Sequence, residues 1–271
     1  MGLTPSAAGP APIVLVTGAS SGIGRAIARE FARHGHAVAL TGRQAGALAA
    51  LAQELHAAHG VRVLSIPTDL TAPQNPIGLI DAIAQQGYVI EIAVCNAAAG
   101  LSGPFHESPD LELTALIELN IRATTAVIHA VLPAMLARGR GGVLCVASLS
   151  AVAPVPLMAA YAASKAYLLS LALALRYELR GTGVHVCVLA PGRVNTDFLR
   201  KSGVLEGERV MYLPSSDPDL VARLAYEGFM AKRKLIVPGL LNMLAMTALR
   251  WLPVRPVQVA SAWLFARAPV P

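Results

Sequence analysis

The turn Thr17-Gly18-Ala19-Ser20-Ser21-Gly22-Ile23-Gly24 follows the first apolar run of the chain, Ile13–Thr17, and precedes a stretch of helical periodicity, Ile23–His34. That order constrains the fold more than any other feature. Glycines let the backbone turn tightly and approach a ligand closely. A strand that passes into a helix through such a turn leaves free N–H groups at the helix start, where a pyrophosphate binds well. The spacing is Gly-x3-Gly-x-Gly, not the Gly-x-Gly-x2-Gly dinucleotide pattern, but the physics is the same.

The alternation continues along the chain. Ala37–Thr41, Val61–Pro67, Glu91–Cys95, Val143–Ala147 and Val184–Leu189 read as further buried strands. Segments near Ala45–Ala58, Pro76–Gln86, Leu111–Arg138 and Met158–Arg180 read as helices. This pattern predicts an α/β fold of the Rossmann, doubly wound type, with a mostly parallel sheet of about seven strands and helices on both faces. A hydrophobic content of 55% with only 5% aromatics suits strands buried on both sides. Residues 13–271 are expected to form one domain, with the substrate loop and a helical lid over residues 193–271 and a loose tail at residues 1–12. The helices of residues 111–138 and 158–180 are apolar on more than one face, which predicts a homodimer through them.

Composition excludes some functions. The net charge of +6 comes mostly from scattered arginines without a basic run, so no nucleic-acid partner is expected. Cys95, Cys145 and Cys187 all lie in strand-like segments and read as small core residues of a reducing compartment. Met1 to Pro12 lacks the apolar run of a signal peptide, and a cytoplasmic location is expected. The pairs His34/His36 and His56/His59 lack Cys or carboxylate company, so they read as surface histidines and no metal is expected. Leu235 to Val254 is interrupted by Pro238, Gly239, Asn242, Arg250 and Pro253. It reads as a greasy helix covering a cavity or lying on a membrane surface, not as a span.

The second strand ends Leu40-Thr41-Gly42-Arg43, without the carboxylate that would bind a ribose 2′-hydroxyl. A guanidinium there suits a 2′-phosphate, so NADP(H) is expected in preference to NAD(H). Asp69-Leu70 follows the third strand and is placed to meet the adenine ring. Asn96-Ala97-Ala98 follows the fourth and leaves room for a ribose. In Tyr161-Ala162-Ala163-Ser164-Lys165 a phenol and an ammonium stand one helical turn apart on one face. A cation beside a phenol lowers its pKa, which would fit the pair to move a proton to or from a carbonyl oxygen.

These motifs together resemble the short-chain dehydrogenase/reductase family over nearly all of Ile13 to Phe198. The family pattern is a TGxxxGxG turn, an NNAG-like stretch, a helix Asn, a Ser, YxxxK and a PG segment. The chain supplies Thr17–Gly24, Cys95-Asn96-Ala97-Ala98, Asn120, Ser148, Tyr161/Lys165 and Pro191-Gly192 in that order. Cys95 and Ala98 depart from the third motif, and the match thins after Phe198. The chain is also similar to a branch of bacterial general-purpose reductases.

The resemblance implies that Tyr161 is the general acid of carbonyl reduction and that Lys165 lowers its pKa and bonds the nicotinamide ribose. It also implies that Ser148 donates to the reacting oxygen and that Asn120 interrupts its helix and holds a water in a proton relay to the lysine. Gly18, Ser20, Ser21, Gly22, Ile23, Gly24, Arg43, Asp69, Leu70, Asn96 and Ala97 would line the cofactor site, with Pro191, Gly192, Val194 and Thr196 at its nicotinamide end. The substrate, a small or medium, fairly apolar ketone, aldehyde or secondary alcohol, would meet Ser148, Leu149, Val155, Tyr161 and Phe198. Two rivals stand beside this reading: a membrane-surface reductase of lipid-like acyl or steroid ketones, and a non-catalytic NADP-binding regulator.

Overall fold

The computed structural model describes residues 9–266. Seven strands form one sheet: β1 (Ala11–Thr17), β2 (Val38–Gly42), β3 (Val63–Pro67), β4 (Tyr88–Cys95), β5 (Gly141–Val146), β6 (Val184–Leu189) and β7 (Leu235–Ile236). Their order is β3-β2-β1-β4-β5-β6-β7, and every neighbouring pair is parallel. The first strand starts two residues earlier than the apolar pattern predicts. Ala11 donates to the Gly87 carbonyl and pairs with Tyr88, so the ladder draws Ala11 and Pro12 out of the expected tail. Residues 1–8 of that tail lie outside the described residues.

Ten α-helices are described: α1 (Gly22–Arg33), α2 (Ala45–His59), α3 (Asn75–Gln85), α4 (Asp110–Ile117), α5 (Thr124–Arg138), α6 (Ala159–Glu178), α7 (Phe198–Lys201), α8 (Pro218–Met230), α9 (Leu240–Leu249) and α10 (Val254–Leu264). Strand alternation divides the apolar side chains between two cores. Ile13 and Leu15 of β1 pack with Leu79 and Ile83 of α3, Val127 and Val131 of α5, and Leu168 and Ala172 of α6. Val14 and Val16 pack on the other face with Ile27 and Phe31 of α1, Leu48 and Leu55 of α2, and Phe229 of α8. All three cysteines are free and buried. Cys95 and Cys145 lie in one core and Cys187 in the other, as their strand-like settings predict.

The single long helix expected over 111–138 is interrupted. Between α4 and α5 the backbone widens into a π turn, Glu118–Ala123, centred on Asn120. Such turns are rare and gather at functional sites. By length and composition the stretch 110–138 could cross a membrane. Here Leu116, Val127, Ile128, Val131 and Met135 on it are buried within the protein, as in a core helix.

The strand order reverses between β1 and β4, whose carboxyl ends open the crevice where ligands bind in such sheets. The loops after β1, β2, β3, β4, β5 and β6 carry the glycine turn, Arg43, Asp69, Asn96, Ser148 and Pro191-Gly192 in that order, while Asn120 lies in the π turn and Tyr161 and Lys165 on α6.

Candidate active site

The glycine turn is shaped by close approach. A Cβ at Gly18 would meet Ala97 Cα and Asn96 Nδ2 at 2.9 Å, and one at Gly24 would meet Asn96 Nδ2 at 2.3 Å and the Gly18 carbonyl oxygen at 2.4 Å. Gly18 and Gly22 also take φ of 66° and 54°, which side chains resist. Asn96 ties this turn to β4: Nδ2 donates to the carbonyls of Thr17 (2.9 Å) and Gly18 (3.2 Å). Thr17 Oγ1 in turn accepts from the N–H groups of Asn96 and Ala97. The Asn96 Nδ2 therefore braces the cradle. No side chain caps the start of α1 at Ser21, so its first N–H groups face the turn uncapped.

Arg43 is exposed at the end of β2, and Gly42 beside it lies 3.5 Å from Ser20 Oγ when given a Cβ. Asp69 is held below the usual carboxylate range, first by the Thr71 N–H and hydroxyl that donate to it and, more weakly, by Arg43. The Leu70 side chain is buried in the core that holds Ile13 and Leu15 of β1, which leaves its backbone to face the carboxyl edge of the sheet. An apolar residue at a strand end is drawn inward when the helix beyond leaves room. At the opposite end, the 193–196 loop lies over the turn, with Thr196 Cγ2 3.2 Å from where a Gly22 Cβ would stand. Val194 bridges to Ser216, and Arg193 Nη1 donates to the Leu213 carbonyl at 2.6 Å. Leu149 N donates to the Pro191 carbonyl, which fixes the loops after β5 and β6 side by side.

Tyr161 and Lys165 are both buried on α6, on the same face, with the ammonium 5.8 Å from the phenol ring centroid. Lys165 Nζ donates to the Val146 carbonyl at 2.9 Å. Burial lowers its pKa to about 8. Burial likewise pushes the Tyr161 hydroxyl up to about 12, with the Ser148 hydroxyl acting the other way. The expected lowering of the phenol by Lys165 is thus outweighed in this arrangement: the ammonium is anchored to β5, and desolvation dominates.

Asn120 is 3% exposed, and its amide is fully engaged. Oδ1 accepts from Ala99 N, while Nδ2 donates to Ala99 O and to Ser164 Oγ, at 2.8, 2.8 and 2.9 Å. The side chain clamps the loop after β4 to α6, one residue from Lys165. Any relay role therefore belongs to the widened backbone around it, not to the amide.

A small apolar cluster surrounds the phenol: Leu116, Val155, Met158, Tyr161 and Ala162, with Leu101, Phe198 and Phe265 packed on it. The Tyr161 and Phe198 rings lie 5.3 Å apart. Val155 and Phe198 are therefore where the sequence placed them. Leu149 is half-buried and packs partly on the sheet core. The sequence did not single out Leu116, Met158 or Phe265. Phe265 reaches the cluster because Arg209 pins the end of α10, stacking 4.5 Å over the Trp263 ring and donating to the Trp263 carbonyl. The backbone N–H of Arg209 donates to the Ala266 carbonyl. Among the described residues no group of His, Cys, Asp and Glu forms a metal-binding cluster.

A parallel sheet with a glycine cradle at its switch point and a buried tyrosine–lysine pair beyond it defines a class of nucleotide-dependent oxidoreductases. The sequence profile of the short chain dehydrogenases matches residues 12–204, and the chain belongs to that family. It is an oxidoreductase acting on hydroxyl or carbonyl groups with a nucleotide cofactor. It is similar to 1-deoxy-11-beta-hydroxypentalenate dehydrogenase of Streptomyces exfoliatus, with 41% identity over 190 residues covering 69% of this chain and 68% of that one. Among solved structures it resembles a short-chain dehydrogenase from Sphingobium yanoikuyae in complex with NADPH, at 31% identity and a TM-score of 0.78, covering 89% and 96% of the two chains. A Burkholderia phymatum member in complex with NAD aligns with a TM-score of 0.80 at 25% identity, covering 88% and 92%.

Proposed function

We propose that the chain is an NADP(H)-dependent carbonyl reductase or alcohol dehydrogenase of small to medium, fairly apolar substrates. It would work in the cytoplasm as a homodimer through residues 111–138 and 158–180. The observation that carries this reading is the Tyr161 hydroxyl, buried beside Ser148, backed by Lys165 and walled by Val155, Met158, Phe198 and Phe265.

The residues present fit a dinucleotide. Gly18, Gly22 and Gly24 let the turn pack closely against Asn96, Ala97 and Thr196, and the uncapped start of α1 offers N–H groups to a pyrophosphate. Arg43 with Ser20 would hold a 2′-phosphate, Asp69 would lie near the adenine, and Thr196 with Val194 would hold the nicotinamide end. When bound, the reduced nicotinamide supplies the hydride. A phenol held near pKa 12 stays protonated at neutral pH and keeps its proton ready for the carbonyl oxygen. That oxygen becomes a far stronger base as negative charge gathers on it. Ser148 donates a second hydrogen bond there, where the charge develops. Lys165, buried and charged below about pH 8, offers N–H donors to the ribose and stabilises the phenolate left behind. The apolar wall excludes water and offers little to bind a charged substrate.

The dimer is supported by apolar side chains left exposed along the two helical stretches, among them Leu111, Ile117, Leu136 and Tyr177. Fluorescence titration with NADPH and NADH, followed by a ketone and aldehyde screen with the tighter one, tests the function. Tighter NADPH binding and turnover of apolar ketones are expected. NADPH binding without turnover of any carbonyl substrate would favour the regulator instead.

A further inference from the structure

Helix α9 touches the rest of the chain through a narrow strip. Met246 is buried and Asn242 wedges against Gly192 while donating to the Pro238 carbonyl. The remainder of the helix faces outward and is apolar: Leu240, Leu241, Met243 and Leu244 are 48–76% exposed. Beyond it Trp251 is 87% exposed, with Leu252 and Val254 also uncovered. Isolated exposed leucines are ordinary on a protein surface, but a continuous run of this kind marks an interaction site.

Charge indicates what covers it. No charged residue occurs from Leu235 to Leu249, and no Asp or Glu occurs anywhere after Glu227. Exposed cations flank the apolar run on both sides, Lys232, Arg233 and Lys234 before it and Arg250 and Arg255 after it. Both tryptophans of the chain, Trp251 and Trp263, lie in this segment and are exposed. A second copy docked face to face by two-fold symmetry would set arginine near arginine with no carboxylate from this segment to offset them. An anionic lipid surface accepts the same pattern without conflict: apolar side chains enter the acyl boundary, tryptophans sit at headgroup level, and arginines meet phosphates. Ten residues of helix, about 15 Å long, cannot span a bilayer, so the contact is interfacial.

We infer that α9 and the segment leading into α10 form a docking surface for an anionic bilayer, inserted shallowly with Leu241, Leu244 and Trp251 leading. This inference stands on surface chemistry alone and does not depend on the reductase reading. Because Asn242 of α9 packs against Gly192 in the loop after β6, the docked face would lie beside the proposed substrate end of the site.

The test uses the full chain with vesicles of equal phosphatidylglycerol and phosphatidylcholine, and with pure phosphatidylcholine for comparison. Cosedimentation with the anionic vesicles is expected, and in a Trp263→Phe background Trp251 fluorescence should shift to the blue on binding. Leu241→Glu with Leu244→Glu should lower binding at least about tenfold. Arg250→Gln with Arg255→Gln should lower it roughly 25-fold on anionic vesicles, since each cation contributes about a factor of five. Both double variants should keep the circular dichroism and the NADPH affinity of the parent, because none of these residues lies in the cofactor site. Absence of binding to anionic vesicles would overturn the inference. So would binding that neither double variant weakens, or an oligomer that the leucine variant splits apart while vesicles bind nothing.

Discussion

The ammonium of Lys165 donates to the carbonyl of Val146, the last residue of β5, at 2.9 Å. One turn earlier on the same helix face, the Tyr161 hydroxyl stands beside Ser148, two residues beyond that carbonyl. Strand and helix thus hold three polar groups together in an otherwise apolar interior. Each of them carries a measurable consequence.

Burial lowers Lys165 from 10.5 to about 8. A depressed lysine loses its proton in the folded chain before the unfolded one, so its cost to stability is full below about pH 8 and fades as the pH rises towards 10.5. Activity should move the opposite way. The free-enzyme profile of kcat/KM for ketone reduction should fall above about pH 8 as the ammonium is lost. Lys165→Met should be nearly inactive and should lack that limb. A wild-type profile flat to pH 10 would contradict the assignment.

Asn120→Ala removes three hydrogen bonds at once and leaves the N–H and carbonyl of Ala99 without their partner, while Ser164 Oγ keeps only its bond to the Tyr161 carbonyl. A loss of about 2–4 kcal/mol in folding free energy is expected, measured by denaturant unfolding. If Asn120→Ala instead lost activity at unchanged stability, the clamp described here would be wrong.

Gly24→Ala places a methyl 2.3 Å from Asn96 Nδ2 and 2.4 Å from a backbone oxygen. Nucleotide binding should weaken at least about tenfold as the cradle opens, whereas Gly46→Ala, with open space at its Cβ, should bind normally. Isothermal titration separates the two.

Phe265 and its Arg209 anchor should set the size of the substrate. Phe265→Ala is expected to raise kcat/KM for bulky ketones relative to small ones by roughly tenfold. Arg209→Ala should move the ratio the same way, with Arg209→Lys between. NADPH affinity should not change in either.

Much of this was legible in the sequence. Short apolar runs and helical patterns located six strands and the long helices, and ordered motifs brought Tyr161, Lys165, Ser148 and the glycine turn together. The two-residue β7 is too short to carry a pattern, and its pairing with Val188 and Leu189 comes from tertiary packing. The resemblance implied the interruption at Asn120, and the π turn is there; the clamp made by its side chain depends on partners 21 and 44 residues away, which no local spacing reveals. Phe265 joined the site through an arginine 56 residues earlier in the chain, a pairing visible only once folded.

The central claim is that the Tyr161 hydroxyl gives the proton to the substrate oxygen. Tyr161→Phe removes one oxygen from a well-packed ring, so fold and NADPH affinity should persist. Steady-state turnover of the best ketone, measured alongside NADPH titration of the same sample, should drop by about a thousandfold or more with affinity unchanged. Turnover within a few-fold of the parent would contradict the account.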